Sequence, residues 1–413
     1  MFKNRWWVLV ASFLGMACGP GPVLVFAMAV FMKPITEDLG ISRALLSSAS
    51  VVASLTGIIG PPSVGYLIDR FGARTVLVPG ILLFALGLSG HAFLTASPLV
   101  IYLFFIAGNL FSSAASPVPF GIVIARWFDQ MRGLALGIAM AGIGVGTAVL
   151  PKLTAYLVND YGWRTAYFGL AVTIVIFSWL PTVLFVHEPP IFEESRKRHD
   201  SAIAHLPGVT AREAFASWRW WAMTIAFFLG AVAINGTLTH VVALLADRGI
   251  PLQQAASALG TAGIALIFGR MISGWCLDRF HGPYVALASF IIPIAGILML
   301  ASGAGGAVPM IGTALCGLGI GAEVDLMAFF ISRYMGIKAY GRIYGTSFAV
   351  FVIGNGIGSV IAGFSYDRFH SYAPAFLFFA GALVVTCAML LPLGRYPFPA
   401  QRHRAALAKE ATA

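Results

Sequence analysis

The segment GYLIDRFGART (residues 65–75) decides the fold, because a weaker copy of it, GWCLDRFHGPY, stands at residues 274–284. Asp69 and Asp278 are 209 residues apart, and the arginines that follow them have the same separation. A chain that repeats itself at this distance predicts two copies of one structural unit, with equivalent residues at equivalent places in each.

Two further pairs of segments support the repeat. ARWFDQMRGLALG (125–137) corresponds to SRYMGIKAYGRIYG (332–345), and RTAYF (164–168) corresponds to PAFLF (374–378). A single long polar stretch, residues 187–208, separates the copies, so it is predicted to be the linker. Transporters are often built from such repeats, with a substrate site near the membrane midplane.

The composition indicates an integral membrane protein. Of the 413 residues, 59% are hydrophobic and only 10% are charged, too little polar surface for a water-soluble chain. Crossing the ~30 Å hydrocarbon core takes ~20 apolar residues as a helix. Twelve stretches satisfy this, six in each copy: 6–32, 44–68, 75–95, 98–125, 134–158, 165–186, 219–246, 254–277, 283–303, 307–333, 342–366 and 372–393.

The distribution of Lys and Arg predicts the orientation. With both termini on one side, the loops on that side hold 19 of these residues and the opposite loops hold 6. The positive-inside rule therefore places both termini in the cytoplasm, and we expect a plasma membrane or bacterial inner membrane protein. Basic loops beside an anionic leaflet account for the net charge of +10, so nucleic-acid binding has no support.

The pattern G-x-L-x-D-R-x-G-x-R at residues 65–74 and the six-plus-six layout resemble the major facilitator superfamily. RWFDQMRGLALGIAMAGIGVG (126–146) is similar to the fourth and fifth spans of monocarboxylate transporters and oxalate/formate exchangers. The resemblance implies an all-α membrane protein of two pseudo-symmetric six-helix bundles, which carries small carboxylates with protons or by exchange. The expected divisions are an N-terminal bundle (1–186), a cytoplasmic linker (187–218), a C-terminal bundle (219–394) and a tail (395–413).

The loop motifs place charged residues where helices meet the cytoplasm. A carboxylate there can cap a neighbouring helix or pair with an arginine, and such contacts close one conformation and break in another. We therefore assign gating or assembly, rather than substrate contact, to these residues: Asp69, Arg70, Arg74, Arg126, Asp278, Arg279 and Arg333.

Two carboxylates stand near the middle of an apolar span. A spacing of two residues turns Glu323 and Asp325 ~200° apart around a helix, so they cannot point the same way. Asp325 shares its face with small residues that suit close packing, which favours Glu323 in a cavity and Asp325 bonded to a neighbouring helix. At least one is predicted to take up a proton for coupling, the alternative being that both are structural.

Arg270 is the other charge inside a span. Its counterpart 209 residues earlier is Pro61, so the repeat does not require an arginine. A guanidinium can hold a carboxylate through two hydrogen bonds, and the resemblance to the monocarboxylate and oxalate branch implies a substrate-binding arginine in the eighth span. The alternative is a salt bridge from Arg270 to Glu323 or Asp325 with no ligand.

Some family features are missing. Leu266 stands where animal monocarboxylate carriers have an acid, Phe26 where they have a lysine, and residues 342–366 hold no second cation of the oxalate exchanger type. One buried cation favours a monoanion over oxalate. Weaker substrate-binding candidates are the polar residues of other spans, which could equally bond helix to helix or pack: Asn109, Asn235, His240 and Asn355.

Three functions remain open at this level. The first is a secondary transporter of a small organic anion, the second is efflux of a hydrophobic or cationic compound, and the third is a transporter-like sensor. An enzyme is not expected, since no nucleophile–base pair, metal motif, cofactor site or nucleotide-binding loop is apparent. The four cysteines have unrelated spacings and are interpreted as packing residues. The sequence gives no strong sign of an oligomer, so we expect a monomer.

Overall fold

The structure is a computed structural model that describes residues 4–189, 207–250 and 252–398. It is all-helical in this part of the chain, apart from one antiparallel bridge between Gly208 and Gly336. The helices before the linker are α1 (Arg5–Ala17), α2 (Met28–Leu39), α3 (Arg43–Ser54), α4 (Gly60–Phe71), α5 (Ala73–Gly90), α6 (Pro98–Ser112), α7 (Pro117–Trp127), α8 (Arg132–Ile174) and α9 (Leu180–Phe185). Those after it are α10 (Ala211–Ala216), α11 (Trp218–Asp247), α12 (Leu252–Leu277), α13 (Gly282–Ala301), α14 (Val308–Tyr334), α15 (Tyr340–Phe369) and α16 (Ala373–Leu390).

The twelve spans predicted from hydropathy are present. Ten helical stretches of the described residues are long and apolar enough to cross a membrane. One of them, Arg132–Phe185, has 54 residues and is broken at Gly162 (φ 80°), so it contains two of the predicted spans. The predicted span 44–68 is divided by a 3-10 turn at Leu55–Ile58, so neither piece is long enough alone.

Proline and glycine interrupt the first span, as its GPGP sequence predicts. α1 ends at Ala17, a π-helical turn covers Gly21–Ala27, and α2 then continues the span. Proline lacks the N–H that an α-helix needs at each interior position, so the backbone changes its hydrogen-bonding pattern here. By contrast, Pro117 is the first residue of α7, a position at which a backbone N–H would have no partner within the helix, so proline does not disturb the helix there.

Glycines allow α12 and α14 to pack with their backbones in contact. A Cβ atom on Gly317 would collide with the backbone of Ala262, and one on Gly321 would collide with the carbonyl oxygen of Leu266. Helices in membranes associate through this kind of close approach at small residues. The consequence is that the face of α14 that carries Gly317 and Gly321 lies directly against α12.

The chain forms two compact units that do not follow the repeat boundaries. The first comprises Met1–Phe128, Ile138–Leu206 and Tyr340–Ala349, and the second comprises Asp129–Gly137, Pro207–Ala339 and Val350–Ala413. Each unit therefore contains one short segment from the other half of the sequence.

Candidate functional site

Arg270 and Asp325 form a buried ion pair in the second unit. Arg270 lies on α12 and its side chain is 5% exposed, whereas Asp325 on α14 is completely buried. Nη1 of Arg270 donates a hydrogen bond to Oδ1 of Asp325 at 3.1 Å. The geometry therefore selects Asp325 as the direct partner that the sequence left undecided between two acids.

Glu323 is buried beside this pair without a hydrogen bond. Its side chain is 0% exposed, and neither of its oxygens has a partner among the residues that the structure describes. Its carboxylate lies against the backbone of α11, since a Cβ atom on Gly230 would be 2.5 Å from Oε1 of Glu323. The ring of Phe290 on α13 also lies beside Gly230, so the surroundings of the Glu323 carboxylate are apolar.

Charge is not balanced in this cluster. Two carboxylates and one guanidinium are buried together, and one carboxylate oxygen of Asp325 and Nε of Arg270 also lack partners in the described part of the chain. An unpaired negative charge in an apolar interior is costly, so uptake of a proton or of another cation at this cluster lowers its free energy.

Among the described residues, none of the four weaker candidates has a hydrogen bond to Arg270, Glu323 or Asp325. Nε2 of His240 lies 3.0 Å from the carbonyl oxygen of Ser359, and Nδ2 of Asn109 donates to Phe105 in its own helix. Nδ2 of Asn235 and Oδ1 of Asn355 are buried without partners in the described residues, so hydrogen-bonding capacity is left over at both. Substrate binding by any of the four stays a prediction.

Asp69 caps the start of α15 within the first unit. Its Oδ1 accepts the N–H of Gly341 at 3.1 Å, and its Oδ2 accepts that of Arg342 at 2.9 Å. Arg126 contacts the same carboxylate at 3.3 Å. A carboxylate at a helix N-terminus neutralises its positive end, so these contacts hold α15 against α4.

Asp278 repeats this arrangement within the second unit. Its two oxygens accept the N–H groups of Gly133 at 2.9 Å and Leu134 at 2.8 Å, at the start of α8. Arg333, the counterpart of Arg126, bonds Asp129 at 2.8 Å. The capping role is therefore common to both copies, whereas the arginine has a different partner in each.

Burial affects the titration of both capping aspartates. It raises the pKa of Asp69 to about 6, although the Arg126 charge and the two backbone N–H groups act in the opposite direction. It also raises the pKa of Asp278 above the usual range for aspartate, again against its backbone hydrogen bonds. Protonation of Asp69 near neutral pH would weaken its hold on the α15 N-terminus.

The three other predicted gating residues contact neighbouring side chains or a helix of the same unit. Nη1 of Arg70 donates to Tyr66 at 3.3 Å, and Nη2 of Arg74 donates to the carbonyl oxygen of Val183 at 2.8 Å. The guanidinium of Arg279 stacks over the ring of Trp275 at 4.1 Å. These contacts fix the ends of individual helices, and a gating role for these residues stays a prediction.

Glu188 and Tyr396, which the sequence patterns did not indicate, occupy equivalent places in the two copies. Oε1 of Glu188 accepts the N–H of Ala73 at 2.7 Å and a hydrogen bond from Arg126 at 2.8 Å. The Tyr396 hydroxyl accepts the N–H of Gly282. Ala73 and Gly282 are 209 residues apart and the two acceptors are 208 apart, so an extended repeat alignment would have found them.

Comparison with known proteins identifies the family. A model of the Major Facilitator Superfamily matches residues 5–357. The chain belongs to this superfamily. Members of the superfamily are transporters and not enzymes, so the chain is a multi-pass membrane transporter, and the family expectation from residues 65–75 is confirmed.

Relatives within the superfamily carry anion-transporter names. "Monocarboxylate transporter 13" of Bos taurus is 25% identical over 403 residues, which cover 95% of this chain and 89% of that protein. "Oxalate:formate antiporter" of Oxalobacter formigenes is 27% identical over 281 residues, which cover 67% of this chain and 62% of that protein. The resemblance to this branch is therefore confirmed, at identities that do not fix a substrate.

Solved structures agree with the superfamily fold. The proton:xylose symporter XylE, bound to 6-bromo-6-deoxy-D-glucose, aligns with a TM-score of 0.78 and 15% identity. The alignment covers 97% of this chain and 98% of that one. At this identity the likeness supports the twelve-helix superfamily fold alone.

Proposed function

We propose that the chain is a secondary active transporter of a small organic anion, a monocarboxylate, that works by proton symport or anion exchange. The observation that carries the proposal is the buried cluster in which Arg270 is bonded to Asp325, while Glu323 has no hydrogen bond to any residue that the structure describes. The anion-transporter names of the relatives point in the same direction.

Arg270 is the proposed substrate-binding residue. A guanidinium presents donors in a planar fork that matches a carboxylate, and a bound substrate would compete with Asp325 for that fork. Nε of Arg270 has no partner in the described residues, so the arginine has donor capacity left for a ligand. The single cation suits a substrate with one negative charge.

Glu323 and Asp325 are the proposed proton-coupling residues. A substrate carboxylate would add a third negative charge to a buried cluster that contains one positive charge. Uptake of a proton by either acid offsets this addition, because it removes one buried charge as the substrate arrives. The stoichiometry that follows from this charge balance is one proton for each monoanion.

The capping contacts of Asp69 and Asp278 are the proposed gates. Each aspartate holds the start of a helix from the other half of the sequence, so rocking of the two predicted bundles would break and remake these bonds. We propose that both termini are cytoplasmic, because the Lys and Arg residues are concentrated in the loops on that side. The proposed location is the plasma membrane or bacterial inner membrane, and the proposed state is a monomer.

The test is transport by the purified protein in proteoliposomes. Uptake of labelled lactate is measured under an inward proton gradient for the wild type, Glu323→Gln and Glu213→Gln, a control at an exposed glutamate outside the spans. We expect gradient-driven uptake that Glu323→Gln loses while it retains lactate-for-lactate exchange, and that Glu213→Gln keeps. Exchange without any gradient response in the wild type would identify an antiporter instead. Absence of both activities with lactate, acetate and benzoate would contradict the proposal.

A second function has one observation in its favour. The unpaired Glu323 carboxylate in an apolar place, beside Phe290, would also suit a lipophilic cation, which such efflux transporters exchange for protons. The same liposomes loaded with tetraphenylphosphonium separate the two functions. Proton-driven movement of this cation, with no response to carboxylates, would favour cation efflux over anion transport.

A further inference from the structure

A groove of about 530 Å³ lies between α12 and α13. One wall consists of α12 residues spaced at helical intervals, including Ile272 and Cys276, and the other consists of α13 residues such as Ala288 and Ile292. Leu318 of α14 forms part of the lining between them. The walls are almost wholly apolar, and Ile272 is 56% exposed, so the groove suits a hydrocarbon chain rather than a water-soluble ligand.

The charged and aromatic polar residues of the groove stand at one end, while the hydroxyls of Ser273 and Ser289 farther along donate to carbonyl oxygens of their own helices. Arg279, His281 and Tyr284 lie in or just after the loop between the two helices. The guanidinium of Arg279 is exposed, and it stacks on Trp275 without a carboxylate partner among the described residues. A cation over an aromatic ring at the end of a span is the arrangement expected where headgroups meet hydrocarbon.

The length of the groove matches one leaflet. Tyr284 and Ile292 are eight residues apart on α13, and at ~1.5 Å per residue this gives ~12 Å of depth below the headgroup level. One leaflet of a bilayer has a hydrocarbon thickness of ~15 Å, half of the ~30 Å core. The polar end lies on the side that the Lys and Arg distribution assigns to the cytoplasm, where anionic lipids attract basic residues.

We propose that this groove is a specific site for an anionic glycerophospholipid, whose phosphate binds Arg279 and whose acyl chain lies along α12 and α13. His281 and Tyr284 border the headgroup and Leu318 contacts the deep part of the chain. The proposal does not depend on which substrate the protein carries.

The position of the groove connects the lipid to the ion pair. Gly269 and Ser273 line the groove, and they are the neighbours of Arg270 on α12. A Cβ atom on Gly269 would collide with the backbone of Leu318, so α12 and α14 touch directly between groove and ion pair. A lipid that fills the groove therefore supports the contact that presents Arg270 to Asp325.

Native mass spectrometry of the full chain, released from nanodiscs, tests the proposal. The nanodiscs contain equal amounts of phosphatidylglycerol and phosphatidylcholine with identical acyl chains, and the lipid retained by each protein is counted. We expect one retained lipid for each chain, with phosphatidylglycerol favoured about fivefold, the preference that one arginine near the surface supplies. Arg279→Gln should remove most of this preference, whereas Arg212→Gln, at an exposed arginine of α10, should keep it.

Filling the groove distinguishes a site from general lipid contact. Ala288→Trp on one wall and Ile272→Trp on the other should each abolish retention of the lipid, whatever its headgroup, in protein that elutes as a single folded species. Retention of both lipids in equal amounts by the wild type would overturn the proposal. Unchanged retention of phosphatidylglycerol in both tryptophan variants would overturn it as well, since the lipid would then be bound elsewhere.

Discussion

Replacing Asp325 with asparagine isolates the energetic role of the buried ion pair. Asparagine has nearly the same shape and keeps one oxygen that accepts a hydrogen bond, but it has no charge. A guanidinium does not lose its proton in proteins, so Arg270 would stay charged and buried without its Asp325 partner. The loss of stability should therefore be large for a change of so few atoms.

The magnitude follows from the geometry. At a separation of 3.1 Å and an effective dielectric constant of ~20, two unit charges attract each other by ~5 kcal/mol. Removing one partner from a buried pair costs about 3–5 kcal/mol in general. Because asparagine still accepts a hydrogen bond, we expect Asp325→Asn to lower the free energy of unfolding by ~3 kcal/mol, at the lower end of this range.

The assay is a denaturant titration of the purified protein in detergent micelles, followed by circular dichroism. Asp38→Asn is the matched control, since Asp38 pairs with Arg164 at 2.6 Å but both side chains are almost half exposed. Exposed pairs contribute little, so this variant should unfold close to the wild type. If Asp325→Asn and Asp38→Asn behave alike, the burial argument is refuted.

A double variant checks the same reasoning from the other direction. Arg270→Met combined with Asp325→Leu replaces both charges with apolar side chains, which is often neutral in buried pairs. Stability should therefore return toward the wild-type value, while transport is lost because the proposed substrate-binding arginine is gone. The single variants Arg270→Met and Asp325→Leu are measured beside it. If the loss of stability in the double variant equals the sum of the losses in these two, the charges are not coupled.

Three further predictions concern other contacts. Burial raises the pKa of Asp69 to about 6 from 3.8, so between these values the folded chain holds a proton that the unfolded chain has lost, and wild-type stability should fall as pH rises from about 4 to 6. The thermal unfolding temperature of Asp69→Asn should lack this pH dependence. Wild-type and variant curves that stay parallel over this range would refute the prediction. Gly321→Ala should destabilise the protein by ~1–3 kcal/mol through overpacking against α12, whereas Gly356→Ala, where nothing lies within 4 Å, should be neutral or stabilising in the same titration. Tyr396→Phe leaves the N–H of Gly282 without its acceptor and should cost ~1–3 kcal/mol, which equal unfolding midpoints would contradict.

Hydropathy and the internal repeat predicted twelve spans in two copies, and the family resemblance carried by residues 65–74 implied the fold. Each span is an apolar run whose length the bilayer dictates, so counting such runs recovers the helices without any tertiary information. The division of α3 from α4 at Leu55–Ile58 was not predicted. A turn of this kind depends on contacts with other helices, which a single sequence does not display.

The site was only partly predictable. Helical spacing showed that Glu323 and Asp325 point in different directions, but not which helix stands opposite each of them. The bond between Arg270 and Asp325 depends on the register of α12 against α14, and the close contacts at glycines set that register. Glu188 was missed because it follows the last apolar residue of a span and was assigned to the linker.

Glu188 and Tyr396 accept the first N–H of the third span in the first and second copy, respectively, but they differ in how many hydrogen bonds each accepts. In the first copy, one oxygen of Glu188 serves both the N–H of Ala73 and the guanidinium of Arg126. In the second copy, the Tyr396 hydroxyl accepts the N–H of Gly282, and Arg333, which corresponds to Arg126, pairs with a different residue, Asp129. A single nucleotide change at codon 188 can therefore remove two bonds at once, whereas the second copy needs two independent mutations for the same damage. The first copy is therefore less robust to mutation at the start of its third span than the second copy is.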